Sequence, residues 1–352
     1  MRASASRFTG RAVDASLLSL MKRPSRFPSA ADIARVRHEV ERAHALYVGR
    51  RGLTDPRAFH GAAQTLLEFD MRRGRHMRLH YELIRFPSAY VPDLSDPVRS
   101  RWLSYRNNHH AYAWVLRHPE PDRPWVVCLH GLGTGAPWMD FAGFRAATLH
   151  HAHGLNLVFP ALPLHGPRSH PGLPRGSLLS YELLDAFHGV TQGVADTRAL
   201  MQWVRAQGAS KVGLYGVSMG AYVGSLTASL EPTELLMVGI PLCDVPGLFA
   251  HHAPEAMRPE IDTLLSGGLP ELFDLVSPLA HPPSAPAGQR FIFAGTDDCV
   301  TTPQQAERLW QHWEQPSIEW FPGGHVSFFW SARVGAYVDE SLINAGFSQA
   351  EP

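Results

Sequence analysis

The stretch that most constrains this chain is GLYGVSMGAYVG, residues 213–224. Within it, residues 216–220 read Gly-x-Ser-x-Gly. The short apolar run before it, residues 211–215, predicts a buried strand. Residues 221–230 are small and apolar and contain no proline, which predicts a helix packed closely on a sheet. Ser218 would therefore lie at a sharp strand-to-helix turn, where the flanking glycines leave room for a strained backbone.

The pentapeptide alone has two interpretations. Ser218 could be an ordinary serine in a glycine-rich turn, because this pattern occurs by chance in roughly one chain in ten of this length. Alternatively, its hydroxyl is a nucleophile, since the first N–H groups of the following helix would point at the group that the serine attacks. The rest of the chain decides between the two.

Composition excludes several classes of partner. Of the 352 residues, 45% are hydrophobic, enough for one large domain or for a domain with an extension. The formal net charge is zero, which argues against nucleic acid or an anionic membrane as the main partner. Three widely spaced cysteines, Cys128, Cys243 and Cys299, predict neither a disulfide framework nor a zinc site. No apolar stretch is as long as a membrane span, so we expect a soluble cytoplasmic protein.

The N-terminal part of the chain predicts an extension. The segment before about Ala30 is rich in arginine and serine and poor in acids, and we expect it to be flexible. Ser29 offers a helix start, and apolar residues then recur at helical spacing as far as Tyr47. A second helical pattern covers residues 58–72. We assign residues 1–74 to a flexible N-terminus and a helical extension, which either covers an edge of the main domain or caps its active site.

The remainder, residues 75–352, predicts an α/β domain. Two segments alternate with period two, and later apolar runs are typical of buried parallel strands. The alternating segments are 76–86 and 108–118. The apolar strand runs are 125–129, 155–160, 235–240, 290–294 and 318–321, with clear helices at 190–207 and 303–313.

Histidines raise the possibility of a metal site in two places. His109 and His110 begin one alternating strand, and His150, His151 and His153 precede the strand at 155–160. No complementary cluster of ligands stands near either group in the sequence, so a helix end and a loop account better for the second group.

A glycine-rich loop, HGLGTG at residues 130–135, follows the strand at 125–129. Such a loop can hold a phosphate or a dinucleotide, but that function needs a third spaced glycine opening a helix, and Pro137 and Trp138 stand here instead. It can also aim a backbone N–H at a developing oxyanion. The order of strand, His-Gly, about ninety residues and then Gly-x-Ser-x-Gly favours the oxyanion function.

Three motifs together resemble the α/β-hydrolase superfamily. HGLGTG resembles its oxyanion loop, LPLHGPRS at residues 162–169 resembles its L-P-G-H-G-x-S loop, and GVSMG resembles its nucleophile elbow. In the second motif Leu164 replaces the glycine and one residue is added. The resemblance covers residues 75–352. It implies a mostly parallel central sheet with helices on both faces and a serine nucleophile of the esterase and lipase-like branch.

The resemblance also implies the other members of a catalytic triad. The acid follows the strand at 290–294, where Asp298 has the expected register and Asp297 is the alternate. The base follows the last strand, where Pro322-Gly323-Gly324 leads to His325. The order Ser218, Asp298, His325 is the order of the superfamily.

The implied chemistry is acyl transfer to serine. His325 would take the proton of the Ser218 hydroxyl, Asp298 would hold the imidazole, and the backbone N–H groups of Leu132 and Met219 would bind the oxyanion. This mechanism needs no metal and no organic cofactor, and its substrate is a small-molecule ester or related acyl compound. Alternatives are a catalytically silent relative that only binds a ligand, and an acyltransferase.

Residues 245–289 interrupt the alternation of strand and helix. Eight prolines divide this stretch into short helical pieces. By the resemblance it is a lid over the serine, although an ordinary surface connection would also account for it. If it is a lid, Phe249 and Phe273 should influence acyl-chain preference more than thermal stability.

Overall fold

The computed structural model describes Asp14, residues 29–66, 68–120 and 122–173, Leu178, and residues 180–348. Within these residues nine strands form one sheet, in the order β1-β2-β3-β5-β4-β6-β7-β8-β9. Their bounds are β1 Asp70–His76, β2 Leu79–Pro87, β3 His110–Leu116, β4 Trp125–Leu129, β5 Asn156–Pro160, β6 Val212–Val217, β7 Leu235–Gly239, β8 Arg290–Gly295 and β9 Ser317–Phe321.

The sheet is mostly parallel. Strands β5, β4, β6, β7, β8 and β9 pair in parallel, whereas β1, β2 and β3 form an antiparallel edge that joins β5. The carboxyl ends of the parallel strands therefore lie along one edge, which is where ligands bind in sheets of this kind. This arrangement confirms the predicted α/β-hydrolase fold.

Helices cover both faces of the sheet, because the parallel strands are apolar on both sides. On β4, Val127 and Leu129 face one core, and Val126 and Cys128 face the other. The α-helices with described bounds, besides short 3-10 and π segments, are α1 Ala30–His44, α2 Pro56–His60, α3 Arg99–Ser104, α4 Pro137–Gly143, α5 Leu183–Ala206, α6 Met219–Leu230, α7 Val245–His252, α8 Arg258–Ser266, α9 Leu269–Asp274, α10 Thr302–His312 and α11 Ala332–Asn344.

The N-terminal helix begins as predicted. Ser29 caps α1, because its side chain accepts the N–H of Asp32 while the Asp32 carboxylate accepts the Ser29 N–H. Apolar residues on one face, Val36, Val40 and Ala43, are buried in the core that α5 and α6 share. Apart from Asp14 and Ser29, the segment predicted to be flexible lies outside the described residues.

The second predicted N-terminal helix, residues 58–72, is wrong. Helix α2 ends at His60, because Gly61 has a φ of +58°. The described residues between Gly61 and β1 form no regular element, and β1 pairs antiparallel with β2. Strand β1 therefore begins within the segment that was assigned to the extension. Residues from Asp70 onward form a strand because their backbone pairs with β2, and helical spacing in the sequence cannot reveal this contact.

The segment 245–289 consists of short helices, as predicted, but a role as a lid is not confirmed. Helix α9 contacts α1, and Phe273 on α9 is 2% exposed and packs edge-on against Phe187 of α5. Phe249 is partly buried and lies beside Tyr181. At Phe273 the segment is therefore part of the core that joins the N-terminal helix to the sheet.

Candidate active site

The backbone turns sharply between β6 and α6. Ser218 occupies this turn with φ +55° and ψ −118°, a conformation that side-chain-bearing residues rarely adopt. Its N–H donates to the carbonyl oxygen of Gly239 at 2.9 Å, and its own carbonyl oxygen accepts the N–H of Ala221 at 3.0 Å. These bonds to β7 and to α6 hold the strained residue in place.

Both glycines of the pentapeptide are needed for close packing. A Cβ atom on Gly220 would lie 1.9 Å from the carbonyl oxygen of Leu129, at the end of β4. A Cβ atom on Gly216 would lie 2.3 Å from the carbonyl oxygen of Gly220. Helix α6 can therefore begin directly over the strand ends only because these positions have no side chain.

The loop after β9 brings His325 to the turn. Its Nε2 atom lies 2.9 Å from the Ser218 hydroxyl oxygen, and its Nδ1 atom lies 2.8 Å from Oδ2 of Asp298. All three side chains are buried, with exposed fractions of 9% for Ser218, 6% for His325 and 5% for Asp298. The sequence-predicted serine, base and acid thus form one continuous chain of hydrogen bonds.

Asp298 is held from several directions. One of its carboxylate oxygens accepts the N–H groups of Val300 and Thr301 at 2.8 and 3.1 Å, and the other accepts the Thr301 hydroxyl at 3.0 Å. Burial alone would raise the pKa of Asp298, but the charge of His325 and these hydrogen bonds hold the pKa below the ordinary 3.8. The carboxyl group is therefore ionised beside the imidazole.

The neighbouring carboxylate has different contacts. The Asp297 side chain accepts the Thr296 hydroxyl at 3.0 Å, and its backbone N–H donates to Gly323 at 3.0 Å. Of the two aspartates considered from the sequence, Asp298 is the one that bonds to the His325 ring.

The pKa of His325 is set by opposing effects. Burial lowers it, because the charged imidazolium loses water. The charge of Asp298, the hydrogen bond to Asp298 and the charge of Asp14 raise it, and the pKa lies above the ordinary 6.5 as a result. An imidazole with these neighbours is well suited to receive a proton from Ser218.

The glycine-rich loop passes directly over the serine. A Cβ atom on Gly131 would lie 3.3 Å from the Ser218 Cβ, so the loop backbone runs beside the hydroxyl. The next residue, Leu132, is partly buried against the core. Met219 is the first residue of α6, and the N–H groups of a first helical turn have no acceptor within the helix.

Two buried histidines help to order the loops around the serine. His130 lies 2.7 Å from the Gly131 carbonyl through Nδ1, and its Nε2 accepts the Leu162 N–H at 3.0 Å. Burial lowers the pKa of His130 to about 4 and that of His165 to about 3, so both rings are neutral. His130 therefore connects the glycine-rich loop to the segment 162–169.

Leu164 replaces the glycine of the superfamily motif, but its backbone has a conformation typical of glycine. Leu164 has a φ of +62°, a left-handed conformation that glycine adopts without strain. Its N–H donates to the side-chain oxygen of Asn108 at 2.9 Å. Two residues further on, a Cβ atom on Gly166 would lie 1.9 Å from the carbonyl oxygen of Gly135, so the two loops touch.

A cavity lies between these two loops. Its volume is about 320 Å³, which is at the small end of ligand sites. Its lining includes Thr134, Trp138, Met139, Leu164, His165 and Ser169.

One carboxylate at this site was missed by the sequence analysis. Asp14 is fully buried, and its Oδ2 atom accepts the backbone N–H of His325 at 2.7 Å. A signal was present, since Asp14 is the only acidic residue before Asp32 in an arginine-rich segment.

Three of the histidines considered as metal ligands have other partners. His109 lies 2.9 Å from the Leu103 carbonyl, His150 lies 2.8 Å from the Leu155 carbonyl, and His153 bonds to Asp339 at 3.0 Å. In the part of the chain that the structure describes, no group of three His, Cys, Asp or Glu side chains could hold a metal ion. The same residues include no helix that is both long enough and apolar enough to span a membrane.

Comparison of the sequence with known proteins identifies a matching family and a relative. The family described as alpha/beta hydrolase domain containing 18 matches residues 109–248. The uncharacterized protein Rv2627c of Mycobacterium tuberculosis is 40% identical over 320 residues, covering 90% of this chain and 77% of the relative.

Solved structures share the fold at low identity. Acetyl xylan esterase 1 from Thermoanaerobacterium sp. JW/SL YS485 is 13% identical, with a TM-score of 0.52, over 84% of this chain and 94% of its own. The sheet order and the matched family agree that the chain belongs to the α/β-hydrolase superfamily, and the identity to the mycobacterial protein places the two chains in one family.

Proposed function

We propose that this protein is a serine hydrolase that cleaves a carboxylic ester, or a related acyl bond, through an acyl-serine intermediate. The observation that carries the proposal is the hydrogen-bonded series Ser218–His325–Asp298, with distances of 2.9 and 2.8 Å. A nucleophile, a base within hydrogen-bond reach and a third group that orients the base are the minimum for this chemistry.

Each side chain has one role in the reaction. His325 Nε2 takes the proton from Ser218 Oγ as the oxygen attacks the acyl carbon, and it later gives the proton to the departing alkoxide. Asp298 fixes the imidazole tautomer with the proton on Nδ1 and stabilises the imidazolium. Water then attacks the acyl-serine, again with His325 as the base.

The oxyanion of the tetrahedral intermediate needs donors that are already in place. The backbone N–H groups of Met219 and Leu132 are the proposed donors, each worth about 3 kcal/mol in comparable sites. The proximity of Gly131 to Ser218 supports this assignment, because it brings the loop that carries Leu132 beside the nucleophile.

A catalytically silent relative is the main alternative. It would be favoured by the loss of a triad member, but the serine, the base and the acid are all present and mutually hydrogen-bonded. The strained backbone at Ser218 also supports catalysis, since strain of this kind concentrates at functional sites.

Covalent labelling tests the proposal. A fluorophosphonate probe should modify Ser218, and Ser218→Ala should abolish both labelling and the hydrolysis of p-nitrophenyl esters of graded chain length. Ser225→Ala is the matched control, because Ser225 is a buried serine on α6, the helix that follows Ser218, and should be dispensable. A folded wild-type protein that takes up no probe and cleaves no ester would favour the silent relative.

A further inference from the structure

The carboxylate of Asp14 contacts both loops that carry the proposed base and acid. Its Oδ2 atom accepts the His325 N–H at 2.7 Å and lies 3.4 Å from the N–H of Cys299, the residue that follows Asp298. Asp14 belongs to the N-terminal segment, 311 positions before His325, so this contact closes a very long loop in the chain.

The sequence of the His325 loop leaves space for this carboxylate. A Cβ atom on Gly324 would lie 2.2 Å from Oδ2 of Asp14. Any side chain at this position would therefore displace Asp14 or distort the loop. The second glycine of Gly323-Gly324-His325 is thus explained by the approach of Asp14.

Burial of this carboxylate is unfavourable unless it is compensated. Asp14 is 0% exposed, and an ionised carboxylate loses much hydration in such a place. Burial raises the pKa of Asp14, the N–H of His325 opposes this, and the overall pKa lies above 3.8. The hydrogen bonds to Oδ2 come from the two loops that carry His325 and Asp298.

We propose that Asp14 is a positioning residue of this active site, whose carboxylate holds the turn that carries His325 and places a second negative charge beside the imidazole. The inference rests on the function proposed above. It makes Asp14, a residue outside the predicted hydrolase domain, part of the catalytic site.

The charge has a predictable consequence. The groups that face the His325 ring are the Asp298 carboxylate, the Ser218 hydroxyl and the Thr301 hydroxyl, and Asp14 acts on it from the backbone side. A nearby negative charge stabilises the imidazolium, so Asp14 raises the pKa of His325. Removing the charge should allow His325 to become neutral at lower pH.

Two substitutions separate the hydrogen bond from the charge. Asp14→Asn keeps an oxygen acceptor and removes the charge, so the acid limb of kcat/KM should shift by about half a pH unit to lower pH. Asp14→Ala removes both, and kcat should fall on the order of 10²-fold because His325 is misplaced. Asp262→Asn, at an exposed position on α8, is the control and should change neither quantity.

A double-mutant cycle tests the contact itself. Gly324→Ala should reproduce the loss seen in Asp14→Ala, because the new methyl group would displace the carboxylate. In the Asp14→Ala background, Gly324→Ala should cost little more, since the obstructed group is already absent. If the losses of activity in Asp14→Ala and Gly324→Ala were fully additive, the contact between the two residues would not be their cause.

The pKa of His325 can be measured without activity. Histidine-selective NMR, with the resonance assigned by its loss in His325→Ala, should show a lower pKa in Asp14→Asn even if no substrate is cleaved. If the wild-type protein takes up no probe and hydrolyses no ester, the proposed function is refuted. The NMR measurement would still decide whether Asp14 raises the pKa of His325. The inference would be overturned if Asp14→Asn lowered the melting temperature but left the pKa of His325 and the acid limb of kcat/KM unchanged. Asp14 would then only anchor the chain.

Discussion

Asp297 and Asp298 are adjacent at the end of β8, yet their surroundings differ. Asp298 accepts two backbone N–H groups and the Thr301 hydroxyl, and it bonds to the His325 ring. The Asp297 side chain bonds to the Thr296 hydroxyl and is only half-buried. Asp297 lies in the turn that follows β8, whereas the N–H groups of Val300 and Thr301 hold the Asp298 carboxylate beside the histidine.

Exchanging each carboxylate for an amide should separate the two residues. Asp298→Asn keeps the shape but favours the wrong imidazole tautomer, a change that lowered turnover by about 10⁴ in a serine protease. Asp297→Asn should stay within about tenfold of wild type, because its contact is local and partly solvated. Hydrolysis rates of both variants, measured with folding confirmed by circular dichroism, check this. The reverse ranking would move the acid to Asp297.

The pH dependence of activity should report the state of His325. The ring must be neutral to act as a base, so activity should rise with pH through the pKa of His325. Because Asp298 and Asp14 raise that pKa, the midpoint should lie above 6.5 instead of at or below it. A profile of kcat/KM from pH 5 to 9 measures it.

Two outcomes would contradict this assignment. A flat profile between pH 6 and 8 would exclude His325 as the titrating base. A midpoint that stays fixed when Asp298 is replaced by Asn would show that another group controls the limb, since loss of the carboxylate should lower the pKa.

At the level of single elements, the parallel strands were predicted to within about two residues. Strands β4, β5 and β6 are mostly apolar and buried along their whole length, so local composition and final environment agree, whereas the edge strand β9 is partly exposed. Helix α5 begins at Leu183, seven residues before the predicted start, because Gly189 and other small residues obscured its first turns. Gly189 packs against Leu178, a residue just before the helix, and helical spacing does not show this contact.

The packing of α6 on β4 leads to a test of the glycines. Gly220→Ala would bring a methyl group to 1.9 Å from the Leu129 carbonyl oxygen, and backbone on both sides cannot move away. We expect a loss of about 3 kcal/mol or more in the free energy of unfolding. Urea denaturation with equal m-values for both proteins would measure it.

Gly224 on the same helix is the matched control. A Cβ atom there would lie 3.1 Å from the flexible Leu129 side chain, which can adjust. Alanine is the better helix former by about 1 kcal/mol, so Gly224→Ala should stay within about 1 kcal/mol of wild type. Equal losses for the two variants would show that close approach to the strand is not the reason for glycine at 220.

Phe273 provides a test of the segment 245–289. Because this ring is buried against Phe187, Phe273→Ala should remove core packing and lower the free energy of unfolding by about 3–5 kcal/mol. Preference among p-nitrophenyl esters of different length should stay unchanged. A changed preference at nearly constant melting temperature would restore the lid hypothesis for this residue.

At the scale of the whole molecule, long-range polar contacts could not be predicted from the sequence. The Ser-Asp-His order could be predicted, because each of these residues follows a recognisable strand end. Asp14 reaches the site from a segment with no recognisable helix or strand pattern. Helix α1 is likewise fixed by partners far along the chain. Glu39 on α1 accepts two hydrogen bonds from Arg101 of α3, and Arg35 on α1 pairs with Glu182 beside α5.

Arg101 connects three parts of the molecule. Its guanidinium bonds to Glu39 at 2.8 and 3.0 Å and to Asp185 of α5 at 2.9 Å, and the Asp185 side chain is only 3% exposed. The pKa of Asp185 is raised by burial, and the charge of Arg101 opposes that shift. Without Arg101, Asp185 would lose its counter-ion, whereas Glu39 would keep the hydrogen bond from Arg35.

Replacing this arginine should therefore loosen the attachment of the N-terminal helix. Arg101→Met retains much of the apolar stem but leaves the buried Asp185 uncompensated, which should lower the free energy of unfolding by about 3 kcal/mol. Arg37→Met on the exposed face of α1 is the control and should leave stability nearly unchanged, because its contact to Glu41 is long and solvated. Hydrogen exchange in residues 30–44 should quicken in Arg101→Met and not in the control. If exchange there stays at the wild-type rate while global stability falls, Arg101 acts on α5 alone and α1 is held by its apolar face.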